Sequence, residues 1–263
     1  MNLINFTHAN GFPAGSYQTF FQYFHESNRY KIIANEKYGH HKHFPVSNNW
    51  PHLVEELVYF VKQQNQPVIA IGHSFGGVIS FMAACQYPEL FKGLIMLDPP
   101  VITGVESWAI HLLKKTRYID KVTPAGKSKN RRRFWPVDTD LASKFSRSKL
   151  FKDFDPRCLK DYVNSATIKK NDRLELVFDP QIETEIFRNM PTNLAKFKQK
   201  LAMPSALIMG EHSDVSPAYF FKRFAKFNSN IELHSINAGH MFPLEKPQET
   251  FALIDKIISG WAL

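Results

Sequence analysis

One short stretch constrains this chain more than any other: Gly72-His73-Ser74-Phe75-Gly76-Gly77, a serine set among glycines between two apolar runs. Ahead of it, Pro67-Val-Ile-Ala-Ile71 is β-branched and bounded by Pro and Gly, which predicts a buried parallel strand. Behind it, Val78 to Tyr87 is apolar, rich in small residues and free of breakers, which predicts a buried helix. A serine at such a strand-to-helix turn has the G-x-S-x-G form of a nucleophile elbow. The turn is tight and backbone passes close to it, so Gly72 and Gly76 are required there. Ser74 is then expected in strained backbone, its hydroxyl presented at the carboxyl edge of a sheet. A glycine-rich turn that only joins strand to helix is the bland alternative. The strand before and the helix after favour the elbow.

The same alternation runs through the chain. Strands are expected at Leu3 to His8, Tyr30 to Ala34, Pro67 to Ile71, Gly93 to Asp98, Ser205 to Glu211 and Ile231 to Ile236. Helices are expected after Ser16, which can cap one running to about His25, after Asn48 or Asn49, with Trp50-Pro51 at the start, and after Pro217 and Pro247. Strand-helix alternation predicts an α/β fold: a doubly wound, mostly parallel sheet of about six strands covered on both faces. From Val101 to about Lys200 charge rises and apolar residues recur at helical spacing, with no strong strand apart from Leu174 to Phe178. The expected organisation is therefore a core of residues 1–100 and 201–263 with a mainly helical insertion at 101–200. Ligands of such a sheet bind beyond the carboxyl ends of its strands. His8, Ser74, Asp98, Asp214 and His240 all fall just past expected strands.

Charge narrows the partners. The net charge of +9 is concentrated in Lys114, Lys115, Arg117, Lys121, Lys127, Lys129 and Arg131-Arg132-Arg133, set against the single acid Asp120. Such a patch meets an anionic surface, an acidic substrate or simply water. Without aromatic interleaving or a nucleic-acid module, no nucleic-acid partner is expected. The two cysteines, Cys85 and Cys158, lie in different elements, so a reducing compartment is the default. The first residues lack the features of a signal peptide, and no apolar run is long enough to span a membrane, so a cytoplasmic chain without a transmembrane segment is expected. His40, His41 and His43 lack the helical i, i+4 spacing and have no carboxylate or thiolate companions, so they read as a solvated rim loop and no metal is expected.

Taken together, Asn10-Gly-Phe-Pro13, Gly72 to Gly77, Gly210 to Pro217 and Gly239 to Pro247 resemble the α/β-hydrolase superfamily, in its esterase, lipase and haloperoxidase-like branch with a helical cap. The resemblance covers nearly the whole chain, with the cap falling at 101–200. Two departures stand out: the two strands that usually lead this fold have no room before Leu3, and the usual His-Gly of the first loop reads Asn10-Gly11, with His8 two residues earlier. The shortened sheet makes Tyr30 to Ala34 an edge strand, expected to be covered by the loop His40 to Asn49 or paired in a homodimer.

What the resemblance implies is a serine-acid-histidine order along the chain. A serine hydroxyl is a weak nucleophile and needs a base and a group that orients the base. Ser74 is the expected nucleophile and His240, in Ala238-Gly-His-Met-Phe-Pro243, the expected base. Asp214, in Gly210-Glu-His-Ser-Asp-Val-Ser-Pro217, matches the family's acid; Asp98 is the alternative acid, or a turn former that begins the cap. The backbone N–H groups of Phe75 and Phe12 are the expected oxyanion donors. The serine argues against epoxide and halide chemistry, which relatives perform with an aspartate at the elbow. The expected function is hydrolysis of carboxylic esters through an acyl-serine intermediate, as a carboxylesterase or lipase-like enzyme needing no cofactor and acting on a small-molecule ester with an apolar acyl or alcohol part. Alternatives are other serine-triad chemistry (thioesterase, C–C hydrolase, perhydrolase) and a ligand receptor that retains the triad.

Overall fold

A computed structural model describes residues 1–263 except Ala262. The core sheet is built from β1 (Asn2–Thr7), β2 (Tyr30–Ala34), β3 (Val68–His73), β4 (Phe91–Leu97), then, beyond a long intervening segment, two further strands at Ser205–Gly210 and Ile231–Ile236. Its helices are α1 (Gln18–Glu26), α2 (Pro51–Lys62) and α3 (Phe75–Gln86) in the first half. The intervening segment holds α4 (Val105–Leu113), α5 (Ile119–Val122), α6 (Ala125–Lys129), β5 (Phe134–Pro136), α7 (Leu141–Ser146), α8 (Pro156–Ala166), β6 (Thr167–Lys170), β7 (Arg173–Leu176) and α9 (Pro180–Arg188). The chain closes with β8 (Ser205–Gly210), α10 (Ala218–Phe227), β9 (Ile231–Ile236), α11 (Phe242–Glu245) and α12 (Pro247–Gly260).

All five neighbouring pairs of the six-stranded sheet are parallel, in the order β2-β1-β3-β4-β8-β9. Strands buried on both faces need apolar residues at every position, and Val68 to His73 is buried throughout. Two apolar layers result. One packs α2, α3 and α10 residues such as Leu57, Phe81 and Phe224 on one face; the other packs α1 and α12 residues such as Phe20, Phe24 and Ile254 on the opposite face. β2 is an edge of this sheet.

Local details depart from the sequence expectations in three places. Neither Asn48 nor Asn49 caps α2: Trp50 stands at that position in a left-handed conformation (φ 62°), Pro51 opens the helix, and Asn49 Oδ1 instead accepts from the Thr192 amide at 2.9 Å. Ser16 caps no helix; its hydroxyl meets that of Ser165 at 3.0 Å. The segment after β4 is not wholly helical, because β5, β7 and β6 form an antiparallel sheet covering a small cluster of Trp135, Leu141 and Leu176. β7 overlaps the stretch Leu174 to Phe178 where a strand is expected, whereas β5 and β6, three and four residues long and mostly exposed, are too short for alternation to announce them.

The segment lies against the loops that follow β1 and β2. Phe12 packs on Phe151, Phe154 and Tyr162 with ring centroids 5.0–6.3 Å apart. The Trp50 indole donates to the Ile186 carbonyl at 2.9 Å, and the Asp179 amide donates to His40 Nε2 at 3.0 Å. His40 is thus a strut between core and segment, its basicity lowered by burial.

Candidate active site

The β3–α3 turn puts Ser74 at φ 53°, ψ −118°, in the left-handed region that side chains other than glycine avoid. Two close approaches make the flanking glycines obligatory. A Cβ at Gly76 would stand 2.1 Å from the Thr7 carbonyl oxygen, and one at Gly72 would stand 2.3 Å from the Gly76 oxygen. The Ser74 amide donates to Leu97 O at 2.8 Å, which fixes the turn to β4.

Register brings the partners together. His73 pairs with Leu97 and Leu97 with Ile208, so Ser74 and Asp98 emerge side by side at the carboxyl edge. The Ser74 hydroxyl donates to His240 Nε2 at 3.1 Å, and His240 Nδ1–H donates to Asp98 Oδ2 at 2.6 Å. Asp98 is fully buried; it also accepts from the Gly210 amide at 3.0 Å and the Ser213 hydroxyl at 2.5 Å. Three donors on one carboxylate replace the water it loses.

Asp214 is not brought to His240. Its carboxylate is 77% exposed and meets Lys149 Nζ at 3.3 Å. The physical reason is one residue of turn. Ser213 faces inward onto Asp98, so Asp214, next along the chain, faces water. The expectation for the acid is corrected accordingly: the carboxylate on His240 is Asp98.

The oxyanion donors divide in the same way. The Phe75 amide opens α3, where the first N–H groups have no intrahelical acceptor and the helix dipole favours negative charge. The Phe12 amide is engaged, donating to Ala9 O at 3.0 Å in the turn around Gly11 (φ 79°). Phe12 therefore occupies the expected loop without a free donor, a correction that only backbone geometry could supply.

Two residues not foreseen for this purpose steady the histidine loop. His73 points away from Ser74, as its position requires, but its Nε2–H donates to the His240 carbonyl at 3.0 Å. Its Nδ1 accepts from the Tyr17 hydroxyl at 2.8 Å, and Tyr17 accepts from the Ala9 amide at 3.2 Å. Burial, followed by the neighbouring His240, holds the basicity of His73 well below the usual histidine range, so the ring is neutral with one donor and one acceptor. Glu245 accepts from the amides of Gly239 (2.7 Å) and Met241 (3.1 Å), bracketing His240. Burial raises its pKa. A carboxylate five residues past the histidine was the only sequence signal for it. His8 lies outside this row: Nδ1–H donates to Ala9 O at 2.8 Å, Nε2 accepts from the Tyr38 amide at 3.1 Å, and burial brings its pKa down to about 4.

Above Gly11 lies a polar roof from the intervening segment. Arg131 donates to Glu183 Oε2 at 2.6 Å and to the Tyr162 hydroxyl; the Ser128 hydroxyl donates to Glu183 Oε1 at 2.8 Å. Asn10 Nδ2 donates to the Glu183 carbonyl at 2.9 Å. A Cβ on Gly11 would come within 2.8 Å of the Glu183 carboxyl carbon, so the absent side chain lets the roof close on the loop. Among the described residues no cluster of His, Cys, Asp and Glu forms a metal site. Burial pushes the Cys85 and Cys158 thiols up to about 12, which keeps both unreactive.

A parallel sheet with a serine at the strand-to-helix turn and a histidine-carboxylate pair beside it defines the class, and sequence comparison agrees. The model of the alpha/beta hydrolase fold family matches residues 9–247, and the chain belongs to that family. Among named relatives, it is 25% identical over 205 residues to a monoglyceride lipase homolog of Monkeypox virus, covering 74% of this chain and 62% of that protein. It is 25% identical over 211 residues to a type I acyl-CoA thioesterase of Penicillium brevicompactum, covering 76% and 40%. The chain thus spans less than two thirds of the length of these relatives. Among solved structures, E-2-(acetamidomethylene)succinate hydrolase superposes with a TM-score of 0.76 at 16% identity, over 98% of this chain and 92% of that one.

Proposed function

We propose that the protein hydrolyses carboxylic esters with an apolar acyl or alcohol part, through an acyl-serine intermediate. The observation that carries this reading is the row Ser74–His240–Asp98, with contacts of 3.1 and 2.6 Å. His240 Nε2 takes the Ser74 proton as Oγ attacks the ester carbonyl carbon. The oxygen of the resulting tetrahedral intermediate carries the negative charge, and the Phe75 amide is placed to receive it; one such donor is worth about 10²–10³ in rate. Collapse breaks the carbon–alcohol oxygen bond, and the imidazolium gives its proton to the leaving alcohol. Water then repeats the sequence on the acyl-serine, releasing the acid and restoring the serine. Asp98 holds the tautomer in which Nδ1 carries hydrogen and stabilises the imidazolium. The segment 101–200 acts as a cap, its Phe151 and Phe154 packed on Phe12 beside the Gly11 turn.

Thioester cleavage is the second reading. It is favoured by the cationic segment, since 22 Lys and Arg stand against 12 Asp and Glu in residues 101–200, a balance suited to a polyanionic thiol carrier. Parallel assays with nitrophenyl esters of graded length and with acyl-CoA thioesters decide between the two. Ser74→Ala is expected to lower the favoured activity by at least about 10⁴-fold, and a fluorophosphonate is expected to label Ser74. An active preparation left unlabelled would overturn the hydrolase reading.

A further inference from the structure

α4 is a surface helix with apolar residues on both sides. Ile110 faces inward and packs on the core. Val105, Trp108, Ala109 and Leu112 face outward at i, i+3, i+4 and i+7, a stripe roughly 100° wide, and none is buried. Val105 is 79% and Trp108 65% exposed. An apolar stripe of this kind belongs against something other than water.

The flanks indicate what. Directly after the stripe come Lys115, Arg117, Tyr118, Lys121 and Val122, all exposed. Among the described residues, neither Lys115, Arg117 nor Lys121 has a carboxylate partner within 4.0 Å; Lys121 lies over the Tyr118 ring at 5.2 Å. The two acids of the region are already neutralised, Glu106 by Arg223 at 2.8 Å and Asp120 by Arg188 at 2.6 Å. Exposed Trp and Tyr beside an apolar stripe and unpaired cations match the interface of an anionic bilayer, where rings sit at headgroup level and ammonium or guanidinium groups meet phosphate. A second copy fits less well, since pairing would bring two segments of net charge +10 face to face.

We propose that α4 and the following turn, Val105 to Val122, dock the protein on anionic lipid surfaces. Val105 lies seven residues past Asp98 along the chain, where the segment leaves the sheet. The surface is independent of which acyl bond Ser74 attacks, and its test reads binding rather than turnover.

The test is co-sedimentation of the full chain with vesicles of phosphatidylcholine alone and with 30 mol% phosphatidylglycerol (about one lipid in three). Binding is expected to the anionic vesicles only, to weaken with salt, and to be accompanied by a blue shift of tryptophan emission; Trp50 and Trp135 are already buried and contribute none. Lys115→Glu/Arg117→Glu/Lys121→Glu is expected to lower the partition constant at least about a hundredfold. Trp108→Ala/Leu112→Ser is expected to remove the blue shift. Melting temperature and short-chain ester turnover check that both variants fold. Failure of the wild-type chain to bind anionic vesicles overturns the proposal whatever the variants do. Equal binding to both vesicle types overturns it, as does a dimer that Trp108→Ala dissociates without any vesicle binding.

Discussion

At the carboxyl edge of the six-stranded sheet, buried and half-buried polar groups are held by backbone amides and neutral hydroxyls: Asp98 by Gly210 and Ser213, Glu245 by Gly239 and Met241, His73 by Tyr17. In the segment between β4 and β8 the buried carboxylates Glu183 and Glu175 are held by the guanidinium groups of Arg131 and Arg133, and the half-buried Asp120 by that of Arg188. Amides belong to strands and turns whose backbone is itself hydrogen-bonded, so the first kind of support leaves a side chain little room to shift. Guanidinium stems are long and flexible, so the second kind tolerates displacement but ties charges together across separate elements. Precision is thus concentrated where the proton relay would run. Electrostatic attachment is concentrated in the segment that roofs it.

If that contrast is right, the largest effect comes from disturbing the rigid side. Asp98→Asn keeps the size but lets His240 adopt the other tautomer, and hydrolysis is expected to fall by about 10⁴-fold. Asp214→Asn, on an exposed carboxylate paired only with Lys149, is expected to change the rate by less than about twofold. Steady-state kinetics on one soluble ester ranks the two. A larger loss at Asp214 would move the acid back to the position that family resemblance implies.

That ranking also measures what the sequence could carry. Ser74 and His240 were legible because their settings are written in backbone constraints: only glycine fits at 72 and 76, and the register of β3 and β4 does the rest. The parallel sheet was legible for the same reason, since strands buried on both faces must read as apolar runs. Asp98 and Asp214 both follow strands, and choosing between them depends on whether Ser213 or Asp214 faces inward, a one-residue question that no side-chain pattern encodes. The Phe12 amide was beyond reach because its occupancy is a backbone hydrogen bond. Of the sheet β5-β7-β6 only β7 was legible, through Leu174 to Phe178; β5 and β6 are too short to alternate. His73 and Glu245 were visible as residues, but their roles depend on loops meeting in space.

On the flexible side, the contrast predicts a stability effect. Removing one partner of the Arg131–Glu183 pair strands a buried charge, so Arg131→Ala is expected to destabilise by about 3–5 kcal/mol in urea unfolding. Replacing both, Arg131→Met with Glu183→Leu, is expected to recover most of that loss, because no buried charge is left unpaired. Double-variant recovery with kcat on a small ester unchanged would place the pair in the attachment of the segment. Loss of kcat in the double variant would instead give it a part in positioning the loop after β1, through the side of Gly11 it covers.

The smallest effect concerns a carboxyl on the rigid side that has amide support and no cation. Glu56 of α2 is buried, accepting from the Gly39 amide at 2.9 Å and from Asn35 at 3.4 Å. Burial pushes its pKa from 4.5 up to about 7, against the partial relief of those bonds. In the window between these values the folded protein keeps the proton and the unfolded chain has released it, so the unfolded state binds fewer protons and stability falls as pH rises. Below about 4.5 both states are protonated and above about 7 both are ionised, so this contribution is flat outside the window. The loss across it is on the order of 3 kcal/mol. Glu56→Gln preserves an acceptor for Gly39 without the charge, and is expected to abolish that decline, leaving the variant as stable as the parent near pH 4.5 and more stable at pH 8. Urea unfolding of parent and variant across this range reads the difference directly. Parallel pH profiles would mean that Glu56 is ionised at neutral pH, with amides alone supporting a buried charge that Glu183 holds only with the help of Arg131.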